Sequence, residues 1–286
     1  MGYKISEYLQ RFLNFIISFC LILIFIVSAS YALFVLNDNH RIYSAAENVQ
    51  EDMLKIKPDK EHPDFSKLLS MNPDVRAWLT MDGTHIDFPV VQGETNHTYI
   101  NQDVYGEFAL AGSIFLDSQN AKDFSDSYNL LYGHHMDGGN MFGDLDLYKK
   151  QEFFQENDTG TLLLPDRVYH LKVAAVLITG VSDDSIFRLA NWPKTWEEGQ
   201  LDYIRSNALF FKEEILSAVE KSEYPQLVAL TTCTSEFTDA RTVVLAQMVP
   251  EENLNADKHS LASSVRSAKR LVRGRLMSAL PGRNSL

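Results

Sequence analysis

The first strong pattern in the sequence is an apolar stretch near the N-terminus. From Phe12 to Leu36 there are 25 residues without a charge, and a helix of that length, at about 1.5 Å per residue, crosses a hydrocarbon core of roughly 30 Å. A cleaved signal peptide is the alternative, because small residues stand at 28–30, but its apolar core usually has only about 7 to 15 residues. We therefore predict a transmembrane anchor at 12–36, preceded by a cytoplasmic N-terminus at 1–11.

The charges on the two sides of this stretch predict its orientation. Lys4 and Arg11 precede the stretch, whereas Asp38 follows it before any basic residue. Because positive residues favour the cytoplasmic side, the N-terminus is expected in the cytoplasm. We predict a single-pass protein of the cell membrane, in contact with lipid through the anchor, with everything after residue 37 outside the cell.

After the anchor the pattern is first helical and then typical of strands. Residues 37–70 are predicted to form a helical stalk, because apolar residues recur there at helical spacing: Ile42, Ala45, Val49, Met53 and Ile56. Short apolar runs with turn signals between them then follow at 77–79, 85–91, 112–116, 128–133, 161–164 and 169–181. Such runs favour a mainly β fold, a barrel or a sandwich.

The second half of this β region has one predicted helix and a final pair of strands. The segment Thr195–Val219 has apolar residues at helical spacing and acidic residues in its first turn, after Pro193. β-rich runs follow at 227–232 and 241–249 and are predicted to form a hairpin. Residues 71–250 are therefore expected to be the main domain, and 251–286 a basic tail.

Charge and cysteine content narrow the function. Residues 37–250 have 34 acidic against 17 basic side chains, so nucleic acid is not an expected partner. The chain has two cysteines, and if Cys20 lies in the membrane, Cys233 is alone in an exported domain. A disulfide within this chain is then excluded, and Cys233 is either a small buried apolar residue or a reactive thiol.

The surroundings of Cys233 favour the reactive thiol. It follows the apolar run Leu227–Leu230, at the point where a strand gives way to a polar loop. If 227–233 and 241–249 pair antiparallel, Cys233 and Arg241 face each other within about 5.5 Å at Cα. A neighbouring cation lowers the pKa of a thiol from about 8.5 and so favours the nucleophilic thiolate. Alternatively, Arg241 is an ordinary strand residue with a solvated head group.

Two adjacent histidines form the second candidate. His134 and His135 follow the apolar run 128–133 and precede Gly138 and Gly139. Side chains alternate along a strand, so only one of the two rings can point toward a given site. Neither the spacing of these histidines nor a single exported cysteine suits a metal, and no metal or cofactor is expected. Two surface loop histidines are the other interpretation.

At this point the residues resemble a known family. The segments YNLLYGHHMDGGNMF, ALTTCTSEFTDARTVV and AGSIFLD resemble the sortases, and specifically class B sortases, over about 72–249. The family signature TLxTC is present at 229–233 with Ala229 in place of the first Thr. The resemblance implies an eight-stranded β-barrel with N-terminal helices and an inserted helix before the cysteine strand. The Asp-Pro-aromatic motif of class C lids is absent from the sequence, which favours class B.

The resemblance also implies a function and an active site. Cys233, His134 and Arg241 correspond to the catalytic residues, and His134 rather than His135 is the catalytic histidine. Apart from the resemblance, Thr231 lies two residues before Cys233 and on the same strand face, so it is either a candidate for substrate binding or an ordinary strand residue. A sortase of this kind cleaves secreted proteins at a C-terminal sorting signal, after Thr, through a Cys thioester. It then transfers them to an amine of a peptidoglycan precursor or of a pilin Lys.

Two other classes of protein fit the sequence less well. In a papain-like protease the catalytic Cys precedes the His, whereas here His134 precedes Cys233. A non-catalytic membrane-anchored adhesin or receptor domain would also combine a membrane span with a β-rich ectodomain. It would have no need of a lone cysteine at a strand end beside an arginine.

The basic tail is predicted to contact the membrane surface. In 260–276 apolar residues recur at helical spacing while basic residues lie mostly on other faces, although a solvated C-terminus is the alternative. Each basic residue near an anionic surface contributes roughly 1 kcal/mol. Chains comprising 37–286 should therefore sediment with anionic vesicles at low salt, and chains comprising 37–250 should not. Equal sedimentation of the two would contradict a membrane role for the tail.

Overall fold

A computed structural model gives the fold of most of the chain. It describes residues 2–61, 63–193, 201–221, 225–233 and 240–251, and for 2–6 and Cys233 only the backbone. The predicted tail helix at 260–276 and the first residues of the predicted helix at 195–219 lie outside this part of the chain.

The N-terminal helix is longer than the predicted anchor. Helix α1 (Gly2–Leu54) is continuous and passes the expected boundary at residue 37 without a break. Within the described ranges it is the one helix long and apolar enough to cross a membrane, which is consistent with a single-pass anchor. The chain divides into two compact units, Met1–Asn48 and the part from Val49 onward.

The predicted stalk helix at 37–70 is not a single element. Helix α1 ends at Leu54, and a second short helix, α2 (Ser66–Met71), follows. Pro58 and Pro63 stand between the two, and proline cannot continue a helix without losing a backbone hydrogen bond. Met53 at the end of α1 packs in one apolar cluster with Phe65 and Leu68 of the α2 region and with barrel residues.

Eight strands form a closed barrel, which confirms the predicted fold class. They are β1 (Val75–Met81), β2 (Asp87–Val91), β3 (Ile114–Leu116), β4 (Tyr128–His134), β5 (Thr159–Leu163), β6 (Val168–Gly180), β8 (Leu227–Cys233) and β9 (Ala240–Pro250). The order around the barrel is β5-β1-β2-β3-β4-β8-β9-β6, and β6 pairs back with β5. The interior of the barrel is filled by alternating apolar residues of these strands.

Strand β6 is long because it serves two neighbours along one edge. Its first half pairs with β5, from Val168 to Lys172, and closes the barrel. Its second half pairs at Ala175 and Val176 with a two-residue strand, β7 (Phe210–Phe211). Its other edge pairs with β9 over nearly the whole length.

The prediction of one helix over 195–219 is wrong. The described part of this segment contains α5 (Asp202–Asn207), β7 and α6 (Glu213–Lys221). The helix is interrupted because the backbone at Leu209 and Lys212 bonds to β6, whose carbonyls at Val176 and Ala174 accept the two hydrogen bonds. Aromatic residues such as those of β7 favour strand pairing over a short helical turn.

The insertion between β6 and β8 covers the outer face of the barrel beside β4. It also contains α4 (Asp184–Phe187), and α3 (Gln151–Glu156) lies earlier, before β5. One cluster of buried residues joins the insertion to the strands; its members from the insertion are Ile186, Leu201, Ile204, Ile215, Leu216 and Val219. Burying each such side chain stabilises the packing by about 1.5–3 kcal/mol. The ring of Trp192 also stacks on Tyr128 of β4 at 3.7 Å between centroids.

A buried asparagine completes the edge of β4 where its neighbour is too short. Strand β3 pairs with β4 only at Phe115 and Leu116. Beyond that point the Asn120 side chain takes the place of a strand: its Oδ1 accepts from Leu130 N at 2.9 Å and its Nδ2 donates to Tyr128 O at 2.8 Å. Buried backbone groups need such partners.

Replacing this asparagine should destabilise the barrel. In Asn120→Ala two buried backbone groups of β4 lose their partners, at a cost of about 1–3 kcal/mol each before relaxation. We expect a loss of about 2–4 kcal/mol in the free energy of unfolding, measured by urea denaturation. The exposed Asn207, whose side chain donates to Tyr203 O within its own helix, is the matched control. Similar effects of Asn120→Ala and Asn207→Ala would contradict the proposed role of Asn120.

Candidate active site

The parallel pairing of β4 with β8 brings two predicted site residues together. Seven residues of each strand are partners in register, and the last pair is His134 with Cys233. Neighbouring strands lie about 4.8 Å apart, and both of these strands end at the same edge of the barrel. The histidine and cysteine positions, distant in sequence, are therefore adjacent at the carboxyl ends of two parallel strands.

The ring of His134 is oriented by a backbone carbonyl. Its Nε2 lies 2.8 Å from the carbonyl oxygen of Ile100, in the loop between β2 and β3. A carbonyl only accepts hydrogen bonds, so Nε2 carries a proton. In the neutral ring Nδ1 is then the basic nitrogen, and it is the atom that can exchange a proton with a reacting group.

Gly133 allows the barrel interior to pack closely against the strand just before His134. A Cβ at this position would lie 2.4 Å from Ile114 Cδ1 and 2.7 Å from Phe142 Cδ2. Any side chain would therefore displace Ile114 and the Phe142 ring, both of which are buried. The glycine is explained by close packing that fixes the end of β4, and its backbone needs no left-handed conformation.

Arg241 lies beside the end of the cysteine strand. Strands β8 and β9 pair antiparallel, as predicted, with partners from Leu227 and Gln247 to Thr231 and Val243. Extending this register by two residues would bring Cys233 opposite Arg241. The guanidinium Nη1 donates to the Thr232 carbonyl at 2.5 Å, so the cation is held on the peptide group that precedes the cysteine.

Thr231 is fully buried. Its exposed fraction is 0%, and within the described residues its hydroxyl has no hydrogen-bond partner. Its register partners are Tyr132 of β4 and Val243 of β9. A substrate would reach the hydroxyl only after the groups covering it shift, so the substrate-binding role of Thr231 stays a prediction.

A buried carboxylate, directly after β3, contacts β4 two residues before His134. Asp117 is 2% exposed, and its Oδ2 accepts from the Tyr132 hydroxyl at 3.1 Å and from Asn96 Nδ2 at 2.8 Å. Its backbone carbonyl accepts from Gln92 Nε2. These hydrogen bonds fix the Tyr132 side chain, which lies two residues before His134 on the same face of β4.

His135 is directed to a different partner from His134. Its Nε2 lies 3.1 Å from Oδ2 of Asp146, in the 3₁₀ helix Gly143–Lys149. The other oxygen of Asp146 accepts from Thr242 Oγ1 at 3.1 Å and pairs with Lys149 Nζ at 2.6 Å. Burial raises the pKa of Asp146, but the hydrogen bonds from Lys149 and His135 outweigh it and hold the pKa below its usual range.

Three of these residues were not found from the sequence. Ile100 contributes only its backbone, which no sequence pattern marks. Asp117 ends the apolar run AGSIFLD, and a carboxylate directly after a strand was a usable signal. Asp146 is one of many acidic residues in an acidic domain and carried no signal of its own.

Comparisons with known proteins agree with this geometry. The family model of the Sortase domain matches residues 79–249. Sortase B of Staphylococcus aureus is 27% identical over 246 residues, which are 84% of this chain and 98% of that protein. The structure of Spy0129, a Streptococcus pyogenes class B sortase involved in pilus biogenesis, has a TM-score of 0.57 and 36% identity, over 65% of this chain and 97% of that one.

A further solved structure is similar over a larger share of the chain. Sortase B from B. anthracis has a TM-score of 0.59 and 26% identity, and it covers 74% of this chain and 99% of that one. Because the family model covers more than half of the sequence, the chain belongs to the sortase family, in its class B. Membership implies a cysteine transpeptidase that acts on sorting-signal substrates with a cell-wall amine as acceptor.

Proposed function

We propose that this protein cleaves secreted proteins after Thr in a C-terminal sorting signal and transfers them to an amine through a thioester on Cys233. The observation that supports this most directly is the register pair of His134 and Cys233 at the ends of two parallel strands. The guanidinium of Arg241, on the Thr232 carbonyl, adds a cation at the same place. A thiol, a proton carrier and a cation are the groups that acyl transfer needs.

The first half-reaction forms the acyl-enzyme. The Cys233 thiolate attacks the carbonyl carbon of the Thr, a C–S bond forms, and the C–N bond of the scissile peptide breaks as the tetrahedral intermediate collapses. The leaving amine takes a proton from protonated His134. Because Nε2 of this ring is held by Ile100, Nδ1 is the nitrogen we assign to this proton transfer.

The second half-reaction releases the product. The acceptor amine attacks the thioester carbonyl, His134 removes one proton from it, and the C–S bond breaks to return the Cys233 thiolate. The thioester is more reactive than the amide, so its cleavage drives formation of the new amide bond. The same imidazole thus gives a proton in the first half-reaction and takes one in the second.

Arg241 is assigned the positioning of substrate and the stabilisation of the oxyanion. A guanidinium has five N–H donors, and the contact with Thr232 O uses Nη1, so a fixed cation retains donors for a substrate carbonyl. A charged donor placed where negative charge develops lowers the barrier of acyl transfer. Lysine would supply the charge but not the rigid planar fork.

The acceptor is proposed to be an amine of a peptidoglycan precursor or the side chain of a pilin Lys. The similarity to a class B sortase involved in pilus biogenesis supports the pilin, and the similarity to Sortase B of S. aureus leaves the cell-wall acceptor equally open. We also propose that the catalytic domain lies outside the cell, because Lys4 and Arg11 precede the apolar part of α1.

Substitution of the site residues tests the proposal. In detergent-solubilised full chains with sorting-signal peptides, Cys233→Ala should abolish release of the C-terminal fragment, because the nucleophile is lost. His134→Ala should lower kcat/KM by about 100-fold or more, the usual contribution of a general acid and base. His135→Ala should cost no more than about tenfold, since its ring contacts Asp146 instead. Fragment release by Cys233→Ala, or equal losses for the two histidines, would contradict the assignment.

The role of Thr231 is tested by an isosteric substitution. Thr231→Val removes a buried hydroxyl that has no partner among the described residues, so the free energy of unfolding should rise by about 1 kcal/mol. If the hydroxyl bonds substrate, kcat/KM should fall roughly 5- to 10-fold, the value of one hydrogen bond. Greater stability with unchanged kcat/KM would exclude Thr231 from the substrate site.

A further inference from the structure

One carboxylate ties together the neighbours of two proposed catalytic residues. Asp146 Oδ2 lies 3.1 Å from Nε2 of His135, the residue after His134. Asp146 Oδ1 accepts from the hydroxyl of Thr242, the residue after Arg241, also at 3.1 Å. We call these three residues, His135, Asp146 and Thr242, the carboxylate clasp.

The clasp crosses behind the end of the cysteine strand. His135 follows β4 and Thr242 belongs to β9, and β8 lies between these two strands. Side chains alternate between the faces of a sheet, so Thr242 lies on the face opposite to Arg241. The two adjacent histidines likewise have separate partners, the Ile100 carbonyl for His134 and Asp146 for His135.

Backbone pairing holds β9 to β6 as far as Ala240, but within the described residues it does not join β9 to β8 at the level of Arg241. The ladder between β8 and β9 runs to the pair of Thr231 and Val243, two residues before the Arg241 level. The 3₁₀ helix Gly143–Lys149 packs against β8 and β9. Asp146 on this helix therefore links the residue after β4 to β9 through two hydrogen bonds, beyond the last recorded pair of the β8–β9 ladder.

We propose that Asp146 is a positioning residue, which holds the ends of β4 and β9 so that His134 and Arg241 remain on either side of Cys233. This inference rests on the proposed function. Asp146 acts through its two hydrogen bonds and touches neither substrate nor the reacting atoms.

The surroundings of Asp146 favour local positioning over global stabilisation. Its side chain is 42% exposed, so its ion pair with Lys149 is screened by solvent and contributes little to folding. The Thr242 hydroxyl, in contrast, belongs to a residue that is only 4% exposed. Loss of Asp146 removes the partner of this buried hydroxyl and frees the His135 ring, while the apolar core of the barrel is unchanged.

Two substitutions at Asp146 distinguish the effect of its hydrogen bonds from the effect of its negative charge. Asp146→Ala removes both hydrogen bonds, and kcat should fall about 10- to 100-fold, as expected for small misplacement of catalytic groups, while KM changes little. Asp146→Asn keeps an oxygen for Thr242 and an amide that can bond neutral His135, so kcat should stay within about threefold of wild type. Equal losses in the two variants would overturn the positioning role.

Variants of the other residues complete the test in the detergent-solubilised full chain. Thr242→Val should reproduce part of the Asp146→Ala loss, and the double variant should be no worse than Asp146→Ala alone, because both remove the same contact. Lys149→Met leaves the clasp intact and should keep wild-type kcat. Asp166→Ala is the matched control, since Asp166 pairs with Arg167 on the surface before β6, at the opposite end of the barrel.

A readout that does not depend on transpeptidation separates this inference from the proposed function. In the Cys20→Ala background, alkylation of Cys233 by iodoacetamide at pH 7 reports the thiolate fraction. Asp146→Ala should slow it about fivefold or more, and Lys149→Met should not. If the wild-type chain does not cleave peptide but Asp146→Ala still slows alkylation, the proposed function is refuted and the positioning role of Asp146 is supported. Unchanged alkylation and kcat in Asp146→Ala would refute the clasp alone.

Discussion

The parallel pairing of β4 with β8 is the contact on which the rest of the site depends. Parallel strands end at the same edge of a sheet, so the last residues of the two strands, His134 and Cys233, become neighbours through backbone pairing alone. Other features of the fold protect this pair of strands. Asn120 completes the free edge of β4, and the insertion before β8 covers the outer face of both strands with buried apolar side chains.

At the site end of the barrel, side-chain hydrogen bonds add to the backbone ladders, of which β4–β8 continues to His134 and Cys233 and β6–β9 to Gly180 and Ala240. His134 is held by the Ile100 carbonyl, Arg241 by the Thr232 carbonyl, and Asp146 joins the residues that follow each of them. Ladders are rigid and repeat along a strand, whereas these single contacts can be broken and remade one at a time. The fold thus combines a barrel that cannot easily open with a rim whose geometry is set by a few polar groups.

The sequence predicted most of the strands and the position of the candidate site, but not how the strands meet. Apolar runs between turn signals located the strands, and an isolated cysteine after such a run indicated chemistry. No local pattern shows that β4 is the neighbour of β8, because the two are far apart in the chain. The boundary predicted at residue 37 follows a change in polarity that leaves the helix of α1 unbroken. The prediction of one helix at 195–219 was wrong because Phe210 and Phe211, which form a short strand, also fit the apolar spacing of a helix.

The division of the β6 edge between two neighbours has a consequence for how such enzymes diversify. The half that pairs with β5 closes the barrel, and the half that pairs with β7 belongs to the insertion beside β4. Insertions of other lengths can replace this one at the second half without altering the closure made by the first. The fold therefore separates a part that must be inherited unchanged from a part that selection can remodel, and new specificities can arise without the loss of a foldable barrel.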